Sequence, residues 1–206
     1  MALSTLADGR AELDARGYGR FTDARQNHWL NAAKNRFEDY PYDWPWLVTT
    51  TTGSSPLTVS DLRRVLSVVS TSNGNIPLTQ IHPEAVIEFV DGSLATGGTA
   101  GGWYLSSETQ VSVYPAGTAS LSVRYVKFSP ELSADGDTPL IPARYRSVWV
   151  DLAEVEVLRY GVKDAGAAGA LEASVFARLD EIAGVYAMQD QPAYSEQLMT
   201  GASVDS

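Results

Sequence analysis

The chain has 206 residues, of which 44% are hydrophobic and 19% are charged, proportions typical of a globular protein with one sizeable core. Its formal net charge is -10, and the 15 basic and 25 acidic side chains are dispersed along the chain. Because nucleic-acid affinity comes chiefly from Lys and Arg at phosphates, this balance excludes a protein that grips DNA, but not a wall past which DNA slides.

The chain contains no cysteine, which excludes disulfides, thiolate metal sites and cysteine nucleophiles. Its first residues, Met1–Leu6, run directly into Asp8 and Arg10 and lack the apolar core of a signal peptide. No apolar run approaches the length of a membrane span. We therefore expect a soluble protein that is made in the cytoplasm and has no membrane partner.

Two helices are predicted within the first forty residues. Asp23–Tyr40 carries apolar residues at helical spacing along one face, and Thr22 is a suitable N-cap before it. Leu3–Arg16 is a weaker helix candidate, with Gly17 as its stop signal.

The middle of the chain has the composition of short strands joined by turns. The predicted strands are the threonine-rich stretch Val48–Thr52, then Leu62–Ser70, Trp103–Ser106, Gln110–Tyr114 and Ala119–Phe128. Pro83–Val90 is predicted as one short helix, because proline is tolerated at a first helical position. Together these segments predict a small antiparallel sheet system.

Helical periodicity returns after Pro142, and Ala143–Val162 carries apolar residues on two sides. A helix that is apolar on two sides needs two partners, which favours packing against its own bundle and against a neighbouring subunit. Trp149 and Tyr160 are therefore predicted as subunit-interface residues, with core packing inside one chain as the alternative. A final helix is predicted after Asp164, its candidate N-cap.

The pattern predicts an α+β fold in which the N- and C-terminal segments form a helical bundle and an antiparallel β subdomain is inserted between them. The helical domain comprises residues 1–45 and 140–188, and the β subdomain comprises residues 46–139. Residues 189–206 are polar and lack periodicity, so they are predicted to form a flexible tail.

Patterns that would indicate catalysis or cofactor binding are missing from the sequence. The two histidines, His28 and His82, are far apart, and without cysteine they do not form the usual zinc ligand sets. The glycine-rich stretch at residues 97–102 lacks the Lys-Ser/Thr ending of a phosphate-binding loop and precedes a strand. We expect no enzymatic activity, no cofactor and no metal.

Three segments follow one another in a characteristic order. Phe21–Leu47 (FTDARQNHWLNAAKNRFEDYPYDWPWL) is a helix that runs into a tryptophan-bearing corner, and Ser60–Ser70 (SDLRRVLSVVS) is a strand. Trp103–Gly161 combines a strand meander, an acidic loop and a proline-led helix. This succession, over roughly residues 20–185, resembles the portal adaptor proteins of tailed bacteriophages, which are head-completion proteins found below the portal.

The resemblance implies a structural ring subunit of the virion, located at the head–tail junction. It implies a dodecameric homo-oligomer that contacts the portal protein and tail or neck proteins, extends the DNA channel and lets double-stranded DNA pass without specific binding. An acidic surface is consistent with this role, because a basic wall would bind the phosphates. In the polar tail, Tyr194, Leu198 and Met199 are predicted contacts with a neighbouring subunit or the portal.

Two other interpretations remain open. A different phage neck or tail-terminator ring would have a dominant β section with peripheral helices. A carbohydrate-binding module would use Trp44, Trp46 and Trp103, with the carboxylates of Asp39 and Asp43 close to the first two. The alternative for Trp44 and Trp46 is that both rings fill the junction between the helical layer and the sheet.

Overall fold

The computed structural model describes residues 3–72, 74–82 and 99–189. Within these ranges four α-helices and a seven-stranded sheet confirm the prediction of a mixed α+β chain. The chain divides into two compact units, a helical unit (Met1–Tyr42 with Glu131–Ser206) and a sheet unit (Asp43–Pro130). The predicted helix Pro83–Val90 and residues 190–206 of the predicted flexible tail lie outside the described residues.

The helices all belong to the helical unit: α1 (Leu6–Leu13), α2 (Asp23–Glu38), α3 (Arg146–Glu156) and α4 (Ala165–Gln189). The prediction of one helix over Ala143–Val162 is confirmed in position, but its geometry changes along the segment. It starts as a 3-10 turn, Ala143–Tyr145, and ends as a π-helical turn, Val157–Val162. A second π-helical turn, Asp14–Tyr18, follows α1 and contains Gly17 at φ +94°.

The short helix α1 is held at its N-terminus by side-chain and backbone hydrogen bonds. The Thr5 hydroxyl accepts the Asp8 N–H at 3.2 Å, and the Asp8 carboxylate accepts the Thr5 N–H at 2.9 Å. The next two N–H groups, of Leu6 and Ala7, donate to carbonyl oxygens of the loop at residues 135–137. These bonds satisfy donors that a helix leaves unpaired, so a loop distant in sequence fixes where α1 begins.

Both apolar sides of α3 are covered within the helical unit, because α3 contacts α1, α2 and α4. Val148, Leu152 and Val155 are buried, and so are Phe37 of α2 and Leu179 of α4. Over Arg146–Glu156 the second apolar side is therefore covered by its own chain, with α1 as one of the partners. A contact with a neighbouring subunit stays a prediction for Tyr160, which continues that side beyond α3.

The sheet unit contains seven strands in the order β1-β7-β3-β4-β5-β6-β2. They are β1 (Val48–Ser54), β2 (Leu57–Thr58), β3 (Leu62–Ser70), β4 (Ile76–Gln80), β5 (Gly102–Ser107), β6 (Gln110–Tyr114) and β7 (Ser120–Lys127). The pair β4–β5 is parallel, whereas the other pairs are antiparallel. The prediction of an entirely antiparallel sheet was wrong here, because the connection at residues 81–101 is long enough for the crossover that a parallel pair requires.

The two ends of the sheet are joined by one continuous segment. β1 pairs with β7 at one end, and after Ser55 and Pro56 the chain continues as β2, which pairs with β6 at the other end. The Ser55 hydroxyl accepts the Val113 N–H of β6 at 3.1 Å. The sheet is therefore curled around one core, whose buried residues are Val59, Leu62, Val68, Leu78, Ala100, Trp103, Val111, Val113, Leu121, Val123 and Tyr125.

Candidate assembly surface

Trp149, the first predicted interface residue, lies in the core of the helical unit. Its side chain is 0% exposed, and its indole Nε1–H donates to the carbonyl oxygen of Leu30 at 2.8 Å. Gly9 of α1 lies against the ring so closely that an added Cβ would stand 2.9 Å from Cη2 of Trp149. The interface prediction for Trp149 is corrected to its alternative, packing within one chain.

Tyr160, the second predicted interface residue, is at the surface. It lies in the π-helical turn that extends α3, and 59% of its side chain is exposed. The next residue, Gly161, faces inward, where an added Cβ would stand 3.0 Å from ring atoms of Phe21 and Trp29. Val162 is also exposed, and Lys163 ends the helix in the left-handed region at φ +64°. Tyr160 thus remains a predicted contact residue.

The remaining predicted contacts, Tyr194, Leu198 and Met199, lie outside the described residues. They stay predictions.

A cluster of two arginines and two glutamates fastens three helices together beside Tyr160. Arg36 of α2 binds both Glu156 of α3 and Glu172 of α4, and Arg159 donates to the other oxygen of Glu172 at 2.6 Å. Burial raises the pKa of Glu172, but the hydrogen bonds from both arginines outweigh it, so that its pKa lies below the usual 4.5. The carboxylate stays charged and holds both guanidinium groups in place.

A second ionic cluster joins the turn after α1 to α3 and α4. Arg16 binds Asp151 at 2.8 Å and Glu154 at 2.7 Å, and Arg178 of α4 also binds Asp151. The Tyr18 hydroxyl donates to Glu154 at 2.9 Å, and its burial together with this bond raises the pKa of Tyr18 to about 12. The arginines of both clusters therefore have carboxylate partners within the chain.

An open groove lies where α2 ends, with a volume of about 450 Å³. It is lined by Arg36, Asp39, Tyr40, Pro41 and Phe176. The rings of Tyr40 and Phe176 have centroids 6.2 Å apart, and the guanidinium of Arg36 stands 5.6 Å from the centroid of Phe176. Phe176 was not predicted as a surface residue of this kind, because it lies beside the core stripe of α4 rather than on it. Its position four residues after Glu172 puts the two on one helical face, a signal that was available in the sequence.

Two of the three tryptophans of the carbohydrate-binding alternative are buried and so are not available as a sugar platform. Trp44 and Trp103 are 0% and 5% exposed, and Trp44 stacks on Trp46 with centroids 4.9 Å apart. Asp43, one of the two carboxylates in that alternative, binds Arg64.

Across residues 3–72, 74–82 and 99–189, no three histidine or carboxylate side chains come together as a possible metal site. In the same ranges, no helix is both long and apolar enough to cross a bilayer.

In a comparison with known families, the family model for the SU10 adaptor protein matches residues 1–201. No curated protein matches the chain. The resemblance seen in the sequence covered roughly residues 20–185. The family match extends beyond it at both ends, to the first helix and to most of the residues after 189.

Proposed function

The chain belongs to the SU10 adaptor protein family, a family of phage head–tail adaptors, and from this premise we propose that it is a subunit of the ring below the portal. In this position it extends the DNA channel and attaches the tail. The observation that carries the proposal is the family match over residues 1–201. A match of this extent includes helical and sheet units alike and does not depend on a single motif.

In the proposed subunit, the two ends of the chain form one helical bundle, residues 1–45 and 140–188, which the β subdomain at residues 46–139 interrupts. Contacts between segments remote in sequence support this arrangement. Trp149 of α3 bonds to Leu30 of α2, and Arg10 of α1 binds Asp135 at 2.6 Å. Copies of such a subunit form a closed ring when identical head-to-tail contacts repeat around an axis.

The distribution of charge supports a channel that DNA passes through without being bound. The helical unit has many of its arginines in ion pairs with its own carboxylates, as Arg16, Arg36 and Arg159 illustrate. A guanidinium held by carboxylates is less available to phosphates, and the chain carries a formal net charge of -10. We expect weak DNA binding even at low salt, as measured by fluorescence anisotropy of a labelled duplex.

The partners of the proposed ring are the portal on one side and tail or neck proteins on the other. The polar segment at residues 189–206 is proposed to bind the neighbouring ring, with Tyr194, Leu198 and Met199 as its anchors. A chain truncated after Gln189 should melt at the temperature of the full chain and lose binding to portal-bearing capsids. Unchanged binding would remove this segment from the interface.

Electron microscopy of particles tests the proposed function. A phage that lacks the chain should yield DNA-filled or DNA-leaking capsids that keep the portal and carry no tail. Added purified chain should then appear as a collar of density at the portal vertex. Density at the far end of the tail would instead support a tail terminator, and absence from all particles would refute a structural role.

A further inference from the structure

A closed head-to-tail ring needs two different surfaces on each subunit, because the same contact is made by one side of a copy and the opposite side of the next. The helical unit presents two surface features that differ from each other. One is the knob, which consists of Tyr160, Val162 and Lys163. The other is the groove, lined by Tyr40, Pro41 and Phe176 together with Arg36 and Asp39.

The knob does not fill the groove of its own chain. Gly161, in the middle of the knob, lies against Trp29 in the first half of α2. The groove is formed after the last residues of α2, where Tyr40 is positioned. The eleven positions between Trp29 and Tyr40 correspond to about 16 Å along a helix axis. Tyr160, Val162 and Lys163 are not among the residues that line the groove, and the ionic cluster around Glu172 fixes α2, α3 and α4 to one another.

The groove combines aromatic walls with acidic groups. Tyr40 and Phe176 provide the apolar surface, and the volume of about 450 Å³ has room for an aromatic side chain. Asp39 lines the groove, and Asp180 accepts a hydrogen bond from the Tyr40 hydroxyl. The cation in the groove, Arg36, is bound to two glutamates of its own chain. The charge that the groove presents is therefore negative.

The knob has the complementary properties. Tyr160 and Val162 are 59% and 38% exposed, which is high for large apolar side chains. Lys163, directly after them, is exposed and positive. Tyrosine is among the residues that most often anchor protein interfaces.

We propose that Tyr160 of one chain inserts into the groove of an adjacent copy, with Lys163 facing the carboxylates of Asp39 and Asp180 there. The inference rests on the proposed ring and identifies its lateral contact. Each copy then contributes one knob and one groove, and the contact is directional.

The absence of cysteine from the chain permits a direct test by disulfide cross-linking. Chains with Tyr160→Cys and with Pro41→Cys are mixed, assembled on portal-bearing capsids and oxidised. The control replaces the first chain with Val185→Cys, because Val185 is an exposed valine of α4 outside the knob. We expect at least about tenfold more cross-linked dimer from the knob mixture than from the control, since disulfides need Cα atoms within about 4.4–6.8 Å.

Three outcomes would overturn the inference. If collars assemble but the amount of cross-linked dimer does not exceed that of the Val185→Cys control, the knob does not contact the groove of the adjacent copy. A cross-link of Tyr160→Cys to itself would indicate a symmetric contact. A cross-link from Tyr194→Cys to Pro41→Cys that excludes Tyr160→Cys would make the C-terminal segment the occupant. If wild-type chain forms no collar on these capsids, the proposed function itself is refuted, so the two failures are distinguishable.

Discussion

Substitution of Trp149 tests whether this tryptophan belongs to the core or to a contact between subunits. Trp149→Ala removes a fully buried ring from the junction of α1, α2 and α3 and removes its hydrogen bond to Leu30. Large-to-small substitutions of this kind cost about 3–5 kcal/mol. A domain of this size has a free energy of unfolding of about 5–15 kcal/mol, so the variant should be strongly destabilised or unfolded before any assembly step.

The assay is urea unfolding followed by circular dichroism at 222 nm, which reports the helices and does not depend on the tryptophan removed. Trp149→Phe, which keeps an aromatic ring but loses the N–H donor, should cost less, about 1–2 kcal/mol. Tyr160→Ala, at an exposed position, should stay within about 0.5 kcal/mol of wild type and impair only assembly. A Trp149→Ala chain that unfolds at the wild-type urea concentration would refute the core assignment, and if it also failed to assemble, Trp149 would be an interface residue.

Three further outcomes are expected. Gly9→Ala should lower the free energy of unfolding by about 1–3 kcal/mol, because the added methyl group would stand 2.9 Å from Cη2 of Trp149. As the control, Gly169→Ala adds a methyl group in open space and should raise the free energy of unfolding by about 0.5–1 kcal/mol through helix propensity. Since the folded-state pKa of Glu172 is lowered, its charge stabilises the fold above pH 4.5 and this contribution is lost as pH falls through the folded value. Glu172→Gln should therefore unfold at lower urea than wild type at pH 7, and the difference between the two midpoints should shrink as the pH falls below 4.5. The free chain should sediment as a monomer at micromolar concentration, and a free ring at that concentration would show that lateral contacts alone hold the copies together.

Strong local periodicity made part of the fold predictable from sequence. The bounds predicted for the strand Leu62–Ser70 agree with β3, and Asp23–Tyr40 agrees with α2 to within two residues. Helix α2 buries one face at helical spacing, and β3 is rich in Val and Leu, so in each case a single stretch of sequence contains the signal. Asp164 also acts as the predicted N-cap, because its carboxylate accepts the Ala167 N–H at 2.9 Å.

Features that depend on distant partners were not predictable in this way. The strand β4, Ile76–Gln80, is short and contains a proline, and it is a strand because β3 and β5 lie on either side.

Helix caps, although local, were predicted only in part. Thr22 begins α2 as predicted, but its side chain makes no capping bond. The capping box at Thr5 and Asp8 was missed, although a threonine followed three residues later by an acid is a sequence signal for one.

The assembly surface was predicted only in part, for a physical reason that concerns Trp149 and Tyr160. Both follow the apolar pattern of one helix, and periodicity alone does not separate a face covered by the same chain from one left for a partner. The deciding contact is with Gly9, 140 residues earlier in the chain, whose missing side chain lets α1 approach the indole ring. A glycine in a weakly amphipathic helix gives no sign of that role in the sequence.

The burial of α3 on both sides changes what can hold the proposed ring together. Large apolar side chains that remain exposed among the described residues are few: Ile76, Leu105, Phe128, Tyr160, Val162 and Val185. Stable obligate interfaces are as apolar as a protein core, and these few exposed side chains are too few to form one.

Lateral contacts between copies then contribute little affinity alone, and negatively charged copies repel one another in solution. A portal that binds each copy raises their effective concentration and allows weak directional contacts to close a ring. In the proposed ring, the knob of Tyr160, Val162 and Lys163 is sufficient for that task, because binding to the portal would supply the affinity and the knob needs only to fix the register.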